Sequence, residues 1–196
     1  MSITEAKLMR SQLYSEELEI ELRKDDKERF KWFLASVLFG ARISETIAKE
    51  TYRAFARYGL LTPQEILKAG WDFLVNPIMR EGGYVRYDGR KSNQILRDCK
   101  TLLDEYGGSL GKLHRISSDS RNLEKRLFAF YGVGPVTMNI FLRELRPYWR
   151  KADPDPLPIV SELARKFMID LERYKRTTIT FVRMEAGLIR LRKSLR

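Results

Sequence analysis

Two stretches of this 196-residue chain combine residue types and spacings that could do chemistry. The first is Tyr131-Gly132-Val133-Gly134-Pro135, which joins two amphipathic helical patterns through a link too short for an ordinary loop. Gly132 and Gly134 accept left-handed or crowded backbone. Val133 between them can plug into a core, and Pro135 suits a first helical position, whose N–H has no helical acceptor. Backbone donors left bare at such a bend, together with the helix dipole, attract an anion. The same residues also suit a plain turn between two core helices. The second stretch, Arg80 to Ser92, interleaves Arg80, Arg86, Arg90 and Lys91 with Tyr84 and Tyr87. Cations beside flat rings neutralise phosphates and stack on bases; a surface loop with a buried tyrosine or two would have the same composition.

Composition narrows the partners. Lys plus Arg number 37 against 26 Asp plus Glu, a formal charge of +11, which favours a polyanion. Residues 172–196 hold eight basic residues against two acids, and residues 1–30 hold six against eight, so the C-terminal end is the expected electrostatic contact. A single cysteine, Cys99, excludes an internal disulfide and any four-cysteine zinc or iron–sulfur site. His114 is the only histidine, which argues against a His-based triad or metal site, and it reads as an incidental loop residue. No apolar run reaches membrane-spanning length, and MSITEAKLMRSQ lacks the apolar stretch of a signal peptide. The expected setting is intracellular: cytoplasm or nucleoid in a prokaryote, nucleus otherwise.

The run Phe130-Tyr-Gly-Val-Gly-Pro-Val-Thr137 resembles the helix-hairpin-helix of the DNA glycosylases related to endonuclease III, the HhH-GPD superfamily. That signature is an apolar residue, Gly, Val or Ile, Gly, two variable residues and Thr. Residues 32 to about 165 also follow the family's order: an opening helix and turn from Trp32 to Ser44, a loop, a helix, a glycine pair at Gly107-Gly108 and the hairpin. The resemblance implies an all-α, two-lobed fold with a cleft between the lobes. One lobe would be residues 36–146, carrying the hairpin; the other would be residues 1–35 plus 147–196. It implies base-excision repair by a monomer, in which a damaged or mismatched base is flipped out of double-stranded DNA and its N-glycosidic bond is hydrolysed. Gly132, Val133, Gly134, Pro135 and Thr137 would then hold the DNA backbone. Arg42 would reach into the base stack, although a solvent-facing arginine at a helix start fits equally. Tyr84 is the best match to the family's apolar wedge, with Arg86 and Tyr87 beside it. The chain cannot hold the family's iron–sulfur cluster, so no cofactor is expected beyond a monovalent cation that the hairpin backbone has room for.

The resemblance also frames the catalytic question. Lyase-competent members carry a lysine two residues after the second hairpin glycine, where this chain has Val136. Arg143 and Arg146 stay protonated and do not replace it, so a monofunctional glycosylase is expected. Such an enzyme needs a carboxylate to stabilise the sugar cation or deprotonate the attacking water. In the family that acid follows the second hairpin helix; here the stretch is Asp153-Pro154-Asp155-Pro156. The match selects Asp155, with Asp153 second, and the flanking prolines stiffen the backbone. Asp-Pro pairs also serve as ordinary turn and cap residues. Two rivals stand beside this reading: a non-catalytic helix-hairpin-helix DNA-binding protein, and a glycosylase whose lyase lysine is Lys91 or Lys151.

The elements that must position these residues read as helices throughout. A first helix capped by Ser2 or Thr4 is expected to run to about Lys24 with its acidic half facing solvent. Others are expected over 27–39, 44–58 with Ser44 as cap, and from a Thr62-Pro63-Gln64-Glu65 capping box to Gly70. A short helix from Trp71 to Met79 precedes the basic loop, and Lys91–Tyr106 follows with Cys99 in its apolar stripe. The hairpin helices come next, then one over 159–174. The segment from Ile179 has strand propensity in Thr-Thr-Ile-Thr-Phe-Val, but its apolar spacing and helical surroundings predict helix.

Overall fold

The computed structural model describes residues 3–194; those residues form helices and turns, with no strand among them. The chain begins with α1 (Ile3–Leu8), α2 (Tyr14–Glu17) and α3 (Asp26–Phe39). Ser2, one expected cap, lies outside the described residues. The single helix expected up to Lys24 is instead two short helices and a run of turns. Leu13, Tyr14, Leu18, Ile20 and Leu22 are all buried, so this segment follows the core surface and one helical stripe does not. The buried Glu144 carboxylate accepts from the amides of Tyr14 (3.1 Å) and Ser15 (3.0 Å), which anchors the segment where no helical carbonyl serves them.

Downstream, side-chain caps set the boundaries. Asp25 caps α3, accepting from Glu28 N, and Ser44 caps α4 (Glu45–Arg57), accepting from Ile47 N. Thr62 caps α5 (Pro63–Phe73), accepting from Glu65 N, but the expected box is only half made: the Glu65 carboxylate accepts from Leu61 N and the Thr62 hydroxyl, not from Thr62 N. Gly70 at φ 76° breaks the helix before a π-helical segment, Leu74–Met79. Next come α6 (Asp88–Tyr106), α7 (Leu110–Ile116), α8 (Ser120–Phe128), α9 (Pro135–Leu145), α10 (Pro158–Lys166) and α11 (Ile179–Ser194). Helix α7 had no separate signal in the sequence reading, and His114 lies within it, stacked on Trp149 at 4.6 Å. Helix α10 stops at Lys166, short of the expected Tyr174, because the chain turns through Met168 at φ 55°.

Two apolar clusters hold these helices. The larger gathers buried side chains from Leu13 to Ala152 with Val182 and Ala186; α3 crosses its centre, and Trp32 Nε1 donates to Phe141 O of α9 at 3.1 Å. The smaller joins Leu8, Val160, Leu163, Ala164, Ile169, Met184 and Leu188. Helix α11 therefore packs on both sides, Val182 and Ala186 toward one cluster and Met184 and Leu188 toward the other. The chain ends also meet through charge. Arg183 donates to Ser11 O and pairs with Glu16, and Arg190 pairs with Glu17 at 3.0 Å. The acids expected to face solvent thus neutralise part of the basic C-terminal helix.

Candidate nucleic-acid interface and groove

The bend after α8 is built as its residues dictate. Gly132 has φ 71°, Gly134 is extended at the N-cap of α9, and Pro135 takes the first helical position. Phe130 and Val133 are buried, so Val133 offers its backbone and not its side chain. The amides of Gly134, Val136 and Thr137 have no hydrogen-bond acceptor among the described residues. Helix α6 braces the bend from behind. The Asp98 carboxyl is buried near the Tyr131 amide with neither oxygen hydrogen-bonded among the described residues, Gln94 lies against Gly132, and Arg97 stacks over the Tyr131 ring at 4.0 Å. Burial pushes the Asp98 carboxyl up to about 8, and burial holds the Lys91 amine down at about 8. Lys91 Nζ donates to Val37 O at 3.2 Å and Gln94 Oε1 at 2.7 Å.

Close backbone approach also fixes the other expected segments. A Cβ at Gly40 would lie 2.9 Å from Thr137 Cβ, so the α3–α4 turn carrying Arg42 abuts the start of α9. Arg42 is exposed, whereas Thr137 is buried in this seam. The loop after the π-helix presses on α4: a Cβ at Gly82 would lie 2.7 Å from Thr51 Cβ, and Gly83 turns at φ 76°. That turn directs Tyr84 inward. With 4% exposure its ring cannot enter a duplex, which corrects the expected wedge. The exposed apolar side chains of the loop are Val85 and Tyr87, at 67% and 62%. Tyr87 is left-handed at φ 63°, and its ring carries Arg86 at 5.0 Å.

Beside the hairpin lies a groove of about 280 Å³. Its walls are Ile43, Ser44, Glu45 and Ala48 from the start of α4; Val136, Ile140 and Arg143 from α9; Leu157 and Ile159 around the start of α10; and Ile189 and Arg192 from α11. Tyr14 and Phe39 complete it, their rings edge to face at 5.5 Å. Val136, Ile140 and Arg143 follow helical spacing, so one face of α9 lines the groove.

The two expected catalytic acids do not line it. Asp155 is 94% exposed and pairs with Arg176 at 3.2 Å. Asp153 pairs with Arg176 at 3.0 Å and with Arg146 at 3.3 Å. The reason is a clamp the sequence reading missed. Arg146, fully buried, bonds Glu185 and Pro154 O, while Arg176 also reaches Pro154 O at 2.7 Å. Asn139 Nδ2 donates to Asp155 O at 2.6 Å, tying this backbone to α9 one turn beyond Val136. The expectation that the Asp155 side chain overlooks the cleft is thereby corrected: its backbone borders α9 and its carboxylate faces Arg176. Glu45 is the acid among the groove's lining residues, and it pairs with Lys49 at 2.5 Å. Of the two lysines considered as nucleophiles, Lys151 is bonded to the carbonyls of His114, Arg115 and Ser117 at the end of α7, and Lys91 is part-buried behind the bend.

No cluster of metal-ligating side chains occurs among the described residues, and none of their helices is long and apolar enough to cross a membrane. Comparison of the chain with protein-family models, curated proteins and solved structures finds no match to any of them.

Proposed function

We propose that this protein is a helix-hairpin-helix DNA glycosylase of the HhH-GPD type, two-lobed, with the groove as the seat of an extruded base. The observation that carries the proposal is continuity: the groove wall runs through Val136 into the hairpin's bare amides and through Ile43 and Ser44 into the exposed Arg42. A nucleotide whose strand is held at those amides would have its base beside an apolar slot rather than open solvent. In this reading Arg42 and the Val85–Tyr87 tip fill the space the base leaves, and water attacks the anomeric carbon as the C–N bond breaks. Asp155 then serves as the carboxylate only if its side chain leaves Arg176 and turns toward the groove mouth beside Asn139.

A second reading is favoured by one observation, the outward carboxylate of Asp155: a duplex-binding protein that does not cleave. Single-turnover base release from a panel of duplexes, each with one lesion or mismatch, separates the two. For the glycosylase, Asp155→Asn is expected to keep DNA binding and lose at least a hundredfold in release, on the order of 2.7 kcal/mol in barrier. Unchanged release in Asp155→Asn would remove Asp155 from the mechanism, and Glu45→Gln would become the next variant to measure. No release from any duplex by the wild-type protein, with binding intact, would leave the second reading.

A further inference from the structure

Arg143 is the one feature of the groove that neither the fold nor the cleavage chemistry accounts for. It is 4% exposed, yet its guanidinium makes no ion pair and no hydrogen bond among the described residues, and its Nε is fully enclosed. Glu144 and Glu185 feel its charge, but both are committed elsewhere: Glu144 accepts from Tyr14 and Ser15, and Glu185 holds Arg146. A buried guanidinium without a hydrogen-bond acceptor is costly unless a ligand supplies one. The side chain lines the groove and lies against the Tyr14 ring at 5.4 Å, so the vacant donors belong to the slot itself.

We infer that Arg143 reads the extruded base by donating to a carbonyl oxygen on its edge, and that the slot takes uncharged oxo-bases in preference to cationic N-alkylated purines. This rests on the glycosylase reading above. Two observations choose the base over a phosphate as the source of the acceptor. The lining shared with Arg143 is largely apolar, with Val136, Ile140, Leu157 and Ile159 suiting a flat ring, and its one acid, Glu45, disfavours a hydrated anion. A guanidinium fork also matches a carbonyl edge with geometric specificity. The exclusion of cationic purines follows from charge. The ring that would stack on a cation, Tyr14, already faces Arg190 at 4.2 Å, Arg143 at 5.4 Å and Lys49 at 5.7 Å. Glu45, the acid of the lining, is engaged by Lys49 at 2.5 Å and faces Arg190 at 4.0 Å, so a positively charged base would compete with resident cations for both the carboxylate and the aromatic face.

Equilibrium binding tests this apart from turnover. The probes are labelled duplexes with a 2′-fluorine at the target nucleotide to block base release. They carry a matched pair, uracil or thymine opposite guanine, 8-oxoguanine, 7-methylguanine, or a tetrahydrofuran abasic analogue. Wild-type protein is expected to bind at least one oxo-base duplex tenfold or more above the matched and 7-methylguanine duplexes. Arg143→Met is expected to lose that preference while matched and abasic binding stay within twofold. Arg143→Lys, which keeps the charge but not the fork, is expected to lose at least fivefold of it and decides the matter if the methionine variant does not fold. A variant that keeps the preference, a wild-type preference for 7-methylguanine, or an equal loss on the abasic duplex would overturn the inference. Equal binding to every duplex would overturn base reading and leave DNA binding standing. Absence of DNA binding altogether would remove the proposed function as well.

Discussion

Replacing Asp98 with asparagine should change how stability depends on pH, because the carboxyl behind the hairpin titrates far from where an unfolded chain would hold it. Burial raises it from an ordinary 3.8 to about 8. The folded state therefore binds the Asp98 proton more tightly than the unfolded state does. Its contribution is fully present below pH 3.8 and is lost as pH rises through about 8. Across that window the loss is about 1.4 kcal/mol per pH unit, several kcal/mol in all. That is a large share of the roughly 5–15 kcal/mol that holds a domain folded. Asparagine keeps the size of the protonated carboxyl but cannot ionise. Lys91 does not confound the comparison below about pH 7.5, where its amine, held near 8, remains protonated in both states. Denaturant melts followed by circular dichroism at half-unit steps from pH 4.5 to 7.5 should find the two proteins close at the acid end. Wild type should fall behind by on the order of 2–4 kcal/mol at the other. A difference that stays flat with pH would refute the reasoning, since it would mean that the carboxylate is already hydrated or paired when folded.

Two packing predictions accompany it. Tyr87→Gly relieves a left-handed residue at φ 63° and should change stability by no more than about 1 kcal/mol, while removing an exposed ring; on the proposed function, it should weaken duplex binding severalfold in the same preparation, and tighter or equal binding would exclude the ring from the interface. Gly40→Ala drives a methyl group into the Thr137 hydroxyl, the nearest atom, with Thr137 Cβ at 2.9 Å, and should cost about 1–3 kcal/mol in a thermal or urea melt, partly recovered by Thr137→Ala, which removes the hydroxyl; additive losses in the double variant would mean that the two residues do not meet.

Helical character was legible wherever a cap and an apolar stripe agree, as at Ser44, Thr62 and Pro135. It was blurred wherever a segment is buried on more than one side. In α11 the apolar positions Val182, Met184, Ala186 and Leu188 alternate as a strand would. They are two opposite faces of one helix, each meeting a different cluster. The segment 9–24 failed for the reverse reason: its buried residues follow a core surface set by distant elements, and its stabilising partner Glu144 lies about 130 residues away. The bend geometry could be read from Gly132 and Gly134 because backbone angles are a local property. The inward turn of Tyr84 could not, since it depends on how closely Gly82 approaches Thr51. Arg143 did carry a signal, as the charged residue extending the Val136 and Ile140 face of a helix, but its lack of an acceptor exists only in three dimensions.

The Asp153–Pro154–Asp155 segment shows where motion is and is not affordable. Its backbone is fixed by four hydrogen bonds: Asn139 to Asp155 O, Arg146 and Arg176 to Pro154 O, and Arg176 to Asp153 O. Moving that backbone would pull Pro154 O from Arg146, whose charge is buried against Glu185 with no exposure on either side chain. Taking one hydrogen bond from a buried charge costs about 1.5–3 kcal/mol. The Asp155 carboxylate, by contrast, is held among the described residues only by an exposed pairing with Arg176, and exposed ion pairs contribute about 1 kcal/mol or less. A change of side-chain rotamer is therefore open to Asp155 at modest cost, while a shift of the loop is not. Any catalytic role for this residue has to be played from the present Cα position by rotation about its side-chain bonds, with the sugar brought to it by the strand held at the hairpin.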